Sequence, residues 1–344
     1  MATYYYGGQA VIEGVMMRGR RSAAVALRAP AGGILVHEEP LKGRFYGSKV
    51  ASWPFFRGVL LLWDMLVLGT RMMMYAANVS IEPLREEAER EKRAETAGEP
   101  QAPPAASSAP AVAASGAAAA TPGAIVEANA GVAGGIGGAA LIFTMLFSLA
   151  FAIGLFFLLP LGAVGLVQRW IGAGWVALIV EGLVRLAILT AYLALIGRLP
   201  SIQRVFQYHG AEHKAINAFE SGDPLDAEHV RRASRVHTRC GTGFLLIVVV
   251  VSIVVFALVG HPPAPVLILS RILLVPVIAA LAYELMRLGA RFYRQPVVRA
   301  LMAPSLALQG LTTREPDDGQ IECAIVALER VLKSDGVAAL HRVA

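Results

Sequence analysis

Long runs of apolar residues dominate the second half of the chain, and their lengths predict helices that cross a membrane. Four runs stand out, at about Ala139–Val167, Gly174–Leu199, Gly243–Val259 and Val266–Leu285. Each approaches the roughly 20 residues that an α-helix needs to cross about 30 Å of hydrocarbon. Because only short segments join the first run to the second and the third to the fourth, the pattern predicts two transmembrane hairpins.

Basic residues predict the orientation of these spans. Six basic residues lie between the second and third runs and eight follow the fourth, whereas the opposite ends carry only Arg169 and Arg271. Positively charged loops stay on the cytoplasmic side of a membrane. The sequence therefore predicts a multi-pass protein of a cytoplasmic (inner) membrane, with both termini and residues 200–242 in the cytoplasm.

The chain before the first span carries a strand-like pattern and then a helix-like one. The sequence AVALRAPAGGILVHEEP predicts two strands joined by a glycine-containing turn. In the apolar segment 54–79, the charged residues Arg57, Asp64 and Arg71 recur every seven positions. Such a charged stripe favours a helix that lies at the membrane interface, and the alternative is a fifth span.

The remaining segments complete a mainly α, integral-membrane fold class with a small β-containing segment near the N-terminus. Residues 81–138 predict a disordered linker, because their charged first part (82–98) and their alanine-, proline-, glycine- and serine-rich second part (99–138) cannot bury enough apolar surface to fold. LTTREPDD precedes an amphipathic C-terminal helix that Thr313 or Asp317 can cap. The expected parts are an N-terminal cytoplasmic part (1–80), the linker (81–138), a first hairpin (139–199), a cytoplasmic helix and loop (200–242), a second hairpin (243–289) and a cytoplasmic tail (290–344).

The overall composition agrees with a membrane protein. Hydrophobic residues make up 56% of the 344 residues, and the mean hydropathy of +0.57 is high for a soluble enzyme. The net charge of +6 suits a surface of anionic lipids. No nucleic-acid-binding module is visible, so we expect the lipid bilayer, and not nucleic acid, as a partner. The two cysteines lie far apart and predict no disulfide framework, which fits a reducing compartment.

The segment between the second and third spans carries the candidate chemistry. It predicts a helix with Ser201 as its N-cap and Gly222 just past its end. At 100° per residue, two histidines and two glutamates fall on the apolar face of this helix. They are His209, Glu212, His213 and Glu220. Ionisable groups on a buried face need partners, and a metal ion is one such partner.

Three of these residues form the pattern H-x-x-E-H, which is typical of inverted zinc peptidases. Histidines at positions i and i+4 can bind one ion, so His209 and His213 are candidate ligands of a divalent metal, with Zn²⁺ the first choice. Glu212 is then the candidate catalytic base that takes a proton from metal-bound water. The alternative is a hydrogen-bonded polar seam between helices that contains no metal.

Two histidines do not complete a metal site, and several residues are candidates for the third ligand. Glu284 lies near the predicted cytoplasmic end of the fourth span, where its alternative role is an ion pair with Arg287. His237 and Cys240, just before the third span, are its rivals. Glu220 is a candidate for supporting a metal-bound histidine. We interpret Glu181 and Arg185, four residues apart inside the second span, as a structural ion pair.

Three motifs in this sequence resemble those of a known family. They are YGGQAVIEGVMMRG near the start, FQYHGAEHKAINAFE in the middle and LTTREPDDGQIECAIVAL near the end. They resemble the YqhQ-like membrane proteins of bacteria, over nearly the whole chain except residues 82–138. The resemblance implies a bacterial membrane protein from a family described as a domain of unknown function and as predicted metal-dependent enzymes.

These observations lead to two functional hypotheses. The first is a membrane-embedded, metal-dependent (zinc) hydrolase, with a peptidase as the specific form, that acts at the cytoplasmic face on a membrane-protein segment or a lipid. In this hypothesis, Glu212 is catalytic, His209 and His213 hold the metal, and Glu284 or the pair His237 and Cys240 completes the ligand set. The alternative is a non-catalytic membrane scaffold or assembly protein in which the same histidines and glutamates form a buried polar seam.

Overall fold

The computed structural model is mostly helical, with a β-sheet near the N-terminus. It describes residues 6–29, 32–41, 53–59, 65–80, 125–127, 143, 146–148, 150–152, 154–172, 174–260 and 263–337. The predicted linker lies outside the described residues except for 125–127, and Asp64 also lies outside them.

Four consecutive antiparallel strands form the N-terminal sheet. They are β1 (Gly7–Val11), β2 (Gly14–Arg18), β3 (Ser22–Arg28) and β4 (Ile34–Pro40), and β5 (Ile125–Glu127) adds in parallel to β4. The strand order is β1-β2-β3-β4-β5, which leaves β1 at one edge of the sheet. Strands β3 and β4 confirm the predicted strand pair, whereas the first hairpin is additional to the sequence prediction.

The helices follow in chain order. They are α1 (residues 65–80), a π-helical turn (Gly154–Leu158) leading into α2 (Leu159–Ile171), α3 (Trp175–Ile196), α4 (Pro200–Ser221), α5 (Ala227–Arg232), α6 (Gly241–Val259), α7 (Ala264–Leu273), α8 (Val275–Arg291), α9 (Pro296–Thr312) and α10 (Asp318–Ser334). Helix α10 confirms the predicted C-terminal helix. Asp317 caps it in a capping box with Gln320.

Helices cover both faces of the sheet, which explains why its strands are apolar on both sides. On one face, Leu68 and Met72 of α1 pack against Met16 and Val25. On the other face, α4 and α10 pack together against the strands. That core includes Ala24, Ala26, Tyr208, Ala211, Ala215, Ile321 and Leu328. The N-terminal strands and the helix between the second and third spans therefore form one packed unit.

The charged stripe predicted for residues 54–79 is divided between two partners. Arg57 pairs with Glu284 on α8, and Arg71 pairs with Glu39 on β4. The apolar side of α1 contacts the sheet, while Leu66 on the same helix stays exposed. Arg57 and Arg71 therefore pair with carboxylates on different elements.

Three described helical segments are long and apolar enough to cross a membrane: Leu146–Val167, Trp175–Ile196 and Gly241–Val259. The predicted count of four is corrected, because the fourth run divides into α7 and α8 around Leu274. Pro276, in the first turn of α8, has no N–H to donate, and its ring crowds the preceding turn. The buried share of the three candidate spans ranges from 12% to 33%, which leaves wide apolar surfaces that lipid can cover. The three helices therefore indicate membrane association.

A buried polar cluster joins the candidate spans. Arg185 donates to Glu181 four residues earlier (2.6 Å), to the hydroxyl of Ser252 on α6 (3.0 Å) and to the carbonyl of Phe156 (3.0 Å). Phe156 lies in the π-helical turn, a geometry that disturbs the regular helical hydrogen bonds. The contacts agree with the ion pair between Glu181 and Arg185 that the sequence predicts. They also connect Arg185 to α6 and to the π-helical turn.

Candidate metal centre

Helix α4 carries the candidate centre, and its ends follow the local sequence. Pro200 occupies the first turn after the N-cap Leu199, where its missing N–H costs nothing. The predicted N-cap, Ser201, is therefore wrong, because this residue lies inside the helix. Gly222 ends the helix as predicted, with a left-handed φ of 81°.

Two glycines let neighbouring backbone approach α4 closely. A Cβ on Gly210 would overlap the carbonyl oxygen of Arg314, so only glycine allows the segment before α10 to lie against the helix there. A Cβ on Gly8 would lie 2.8 Å from Cγ of Glu212, so β1 passes directly over this glutamate. The site helix is thus enclosed by the sheet on one side and by the α9–α10 connection on another.

Both histidines of the motif are held by main-chain carbonyl groups. Nδ1 of His209 lies 2.9 Å from the carbonyl oxygen of Thr312, and Nδ1 of His213 lies 2.6 Å from that of Arg235. A carbonyl oxygen only accepts hydrogen bonds, so each Nδ1 must carry the proton. In the neutral ring, Nε2 then keeps its lone pair, which is the arrangement usual for metal-binding histidines.

The Nε2 atoms converge with a thiol and a carboxylate. Nε2 of His209 lies 3.3 Å from Sγ of Cys240, and the ligand atoms of His209, His213 and Cys240 all lie within 4.8 Å of one another. Oε2 of Glu212 lies 3.6 Å from Nε2 of His213 and 4.0 Å from Nε2 of His209. Ligands bound tetrahedrally at zinc lie about 3.5 Å apart, so this donor set fits one such ion after small movements.

The structure does not bring Glu284 into this group. Nε of Arg57 donates to Oε1 of Glu284 (2.8 Å), a second guanidinium nitrogen contacts Oε2, and the N–H of Phe55 donates to Oε1 (3.2 Å). These contacts with the N-terminal part also replace the ion pair with Arg287 that we considered. Among the described residues, Cys240 and not Glu284 lies beside the two histidines.

Cys240 belongs to a loop that a buried amide holds in place. Gln309 on α9 accepts the N–H of His237 (3.0 Å) and donates to its carbonyl oxygen (2.8 Å), and its side chain is buried. The same loop supplies the carbonyl of Arg235 that holds His213. Sequence reasoning missed Gln309 and Thr312, whose signal was two polar residues three positions apart near the end of a mostly apolar helix.

His237 and Glu220, two further candidates, lie next to the centre and contact each other. Nε2 of His237 is 3.6 Å from Oε2 of Glu220 and 3.2 Å from Arg239, which also pairs with the glutamate. Burial raises the pKa of Glu220, but its hydrogen bond with His237 and the charge of Arg239 together hold that pKa below its ordinary value. The ring of His237 lies 5.6 Å from that of His213, so the pair borders the candidate ligands.

Access to the centre is uneven. The side chain of His209 is 18% exposed, whereas those of His213 and Glu212 are 1% and 6% exposed. Of these three side chains, His209 is therefore the most accessible to solvent. Cys240 is the N-cap of α6 and accepts a hydrogen bond from the N–H of Thr242 (3.4 Å), so the centre lies at the start of a candidate membrane span.

Comparison with known proteins identifies the family. Residues 53–334 match the family described as "Protein of unknown function (DUF1385)". The chain is similar to the "Uncharacterized protein YqhQ" of Bacillus subtilis (strain 168), with 29% identity over 333 residues that cover 96% of this chain and 93% of the relative. No solved structure matches the chain. Because the family match extends over most of the sequence, the protein belongs to the YqhQ-like DUF1385 family.

Proposed function

We propose that the protein is a membrane-embedded, metal-dependent hydrolase with His209, His213 and Cys240 as ligands of a zinc ion and Glu212 as the general base. One observation carries this proposal. Two Nε2 lone pairs, fixed by carbonyl groups on the opposite ring nitrogens, converge with a thiol and a carboxylate in a largely buried site. Three protein ligands and one open position are typical of catalytic zinc.

Each side chain of the centre has its own chemical role in this proposal. A bound zinc ion would polarise the substrate carbonyl and make a bound water more acidic. The carboxylate of Glu212, next to both histidines, accepts the proton of the attacking water and passes it to the leaving group. The N–H of Thr242, in the first turn of α6, donates to the sulfur of Cys240, which lies beside Nε2 of His209.

The proposal includes a location at the cytoplasmic face of the bacterial inner membrane. Helix α4 begins four residues after the candidate span Trp175–Ile196, and Cys240 directly precedes the candidate span Gly241–Val259. Both histidines and the cysteine therefore belong to the stretch between two spans, and the basic residues of that stretch favour the cytoplasmic side. This topology supports a substrate at the membrane surface.

A non-catalytic scaffold is the second candidate function. Nε2 of His209 is close enough to Sγ of Cys240 for a hydrogen bond, and Thr242 and Thr312 are in hydrogen-bond contact (3.0 Å) beside it. Such a seam would join α4, α6 and α9 without an ion. It predicts that changes at the two histidines alter stability but not metal content.

Variants of the motif separate the two candidates. We expect purified protein with His213→Ala to lose bound zinc, because two remaining ligands hold the ion weakly. His229→Ala should keep it, since His229 is half-exposed and pairs with Asp226. Glu212→Gln should keep the zinc and lose hydrolysis, because an amide cannot accept the proton of water. Zinc measured per folded chain decides: equal zinc in His213→Ala and His229→Ala would contradict the hydrolase.

A further inference from the structure

Strand β1 lies at the edge of the sheet, and some of its main-chain groups do not bond to β2. Glu13 accepts the N–H of Arg28, and hydrogen-bonded pairs alternate along an antiparallel ladder. By this alternation Gly7, Gln9 and Val11 bond to β2, whereas the N–H and C=O groups of Gly8 and Ala10 point away from it. Within the described part of the chain, no main-chain partner meets these outward groups.

The free edge lies beside the proposed catalytic base. Gly7, Gly8 and Gln9 are partly exposed, and Gly8 is the residue over which Glu212 lies. A strand added to β1 would run about 4.8 Å from it, and Glu212 packs against β1 at Gly8. The outer edge of β1 and the proposed base, Glu212, therefore belong to the same part of the molecule.

The hairpin that carries this edge is fixed to the site helix. Glu13, in the β1–β2 turn, has a left-handed φ of 54°. Its carboxylate accepts hydrogen bonds from Nε and one terminal nitrogen of Arg204 and lies 3.3 Å from the hydroxyl of Tyr208, one residue before His209. The edge strand is thus anchored to α4 at the turn as well as through the core.

We infer that β1 binds an extended polypeptide as an added strand, so that the substrate of the proposed hydrolase is a polypeptide and not a lipid. This inference rests on the proposed function. Alternating N–H and C=O groups match the main chain of an extended peptide, whereas a lipid ester offers no such repeat. In the reaction, the water oxygen bonds to the peptide carbonyl carbon, the C–N bond breaks, and Glu212 passes the water proton to the leaving amine.

Hydroxamate probes test this binding mode without knowledge of a preferred sequence. The zinc-loaded full-length protein is titrated with acetohydroxamate, octanohydroxamate and acetyl-Ala-Ala-Leu hydroxamate. All three probes carry the same metal-binding hydroxamate group, so differences in Kd measure how the attached acetyl, octanoyl or peptide part contributes to binding. We expect the peptide to bind at least about fivefold more tightly than acetohydroxamate, because each main-chain hydrogen bond contributes modestly. N-methylation of successive peptide amides should weaken binding at alternate positions only.

A variant of the edge provides the second measurement. Ala10→Pro removes one outward N–H group. An edge strand tolerates proline better than a central strand does. Ile12→Pro, in the exposed turn, is the matched control. We expect Ala10→Pro to lose about half or more of the peptide's advantage over acetohydroxamate, with zinc content unchanged, and Ile12→Pro to keep that advantage.

The outcomes distinguish this inference from the proposed function. Equal Kd values for the peptide and acetohydroxamate in a zinc-loaded protein would overturn strand addition and leave the metal-dependent hydrolase intact. A larger gain for octanohydroxamate, or N-methyl effects without alternation, would overturn it in the same way. A protein that binds neither zinc nor any hydroxamate would overturn both.

Discussion

Gln309 provides a sharp test of how the loop before α6 supports the candidate centre. The amide of this residue bonds both main-chain groups of His237, and it is 1% exposed. Gln309→Met keeps the side-chain length and removes both hydrogen bonds. A buried main-chain group without a partner costs about 1–3 kcal/mol, so the native loop conformation loses about 2–6 kcal/mol.

Part of this free-energy loss should appear as weaker zinc binding. A loop that moves to regain hydrogen bonds carries with it Cys240 and the carbonyl of Arg235 that holds His213. Changes to groups that support metal ligands typically lower metal affinity by about 10- to 100-fold, or about 1.4–2.8 kcal/mol. We therefore expect the zinc Kd of Gln309→Met to rise by about that factor while the protein remains folded.

The assay is a zinc titration in competition with a chromophoric chelator, run beside thermal unfolding. Gln203→Met is the matched control, because Gln203 is exposed and donates only a long bond (3.4 Å) to the carbonyl of Arg198. A wild-type zinc Kd in Gln309→Met would refute the reasoning, and so would an equal loss in Gln203→Met.

Two further predictions concern stability. Arg185→Met removes the guanidinium that pairs with buried Glu181, so unfolding in detergent should become easier by about 3–5 kcal/mol, and Glu181→Leu in the same chain should recover most of the loss. Glu220 has a lowered pKa in the folded protein, so its carboxylate contributes stability that is present above the ordinary glutamate pKa and is lost as pH falls through the folded value. Metal-free wild type should therefore lose more stability than Glu220→Gln on acidification below about pH 5, and parallel acid-unfolding curves would contradict this.

Local patterns predicted much of the fold. Apolar run lengths located the three candidate spans, and Glu212 and His213, two of the residues that the 100° spacing placed on one face, are buried in α4. The two strand-like segments on either side of the glycine-containing turn in residues 24–40 predicted β3 and β4. These features depend on neighbours within one or two turns or on one strand, which is what sequence periodicity reports.

Contacts between distant segments could not be predicted in this way. Glu284 meets Arg57, 227 positions earlier, and no local pattern distinguishes that partner from Arg287. Cys240 joins the histidines because Gln309, 72 positions after His237, fixes the loop conformation. The hydropathy of the fourth run likewise gave no sign of the break into α7 and α8, although Pro276 was visible as a residue that removes a helical hydrogen bond.

The proposed zinc centre is tested most directly by the amount of zinc bound per chain in matched cysteine variants. Cys240 lies among the proposed ligands, whereas Cys323 is buried in the core formed by the sheet, α4 and α10. We expect about one zinc per chain in the wild type and in Cys323→Ala, and a marked loss in Cys240→Ser, because a hydroxyl is a poor substitute for a thiolate ligand. A wild-type protein purified without chelators that carries no zinc, or a Cys240→Ser variant that keeps the full amount, would contradict the proposed centre.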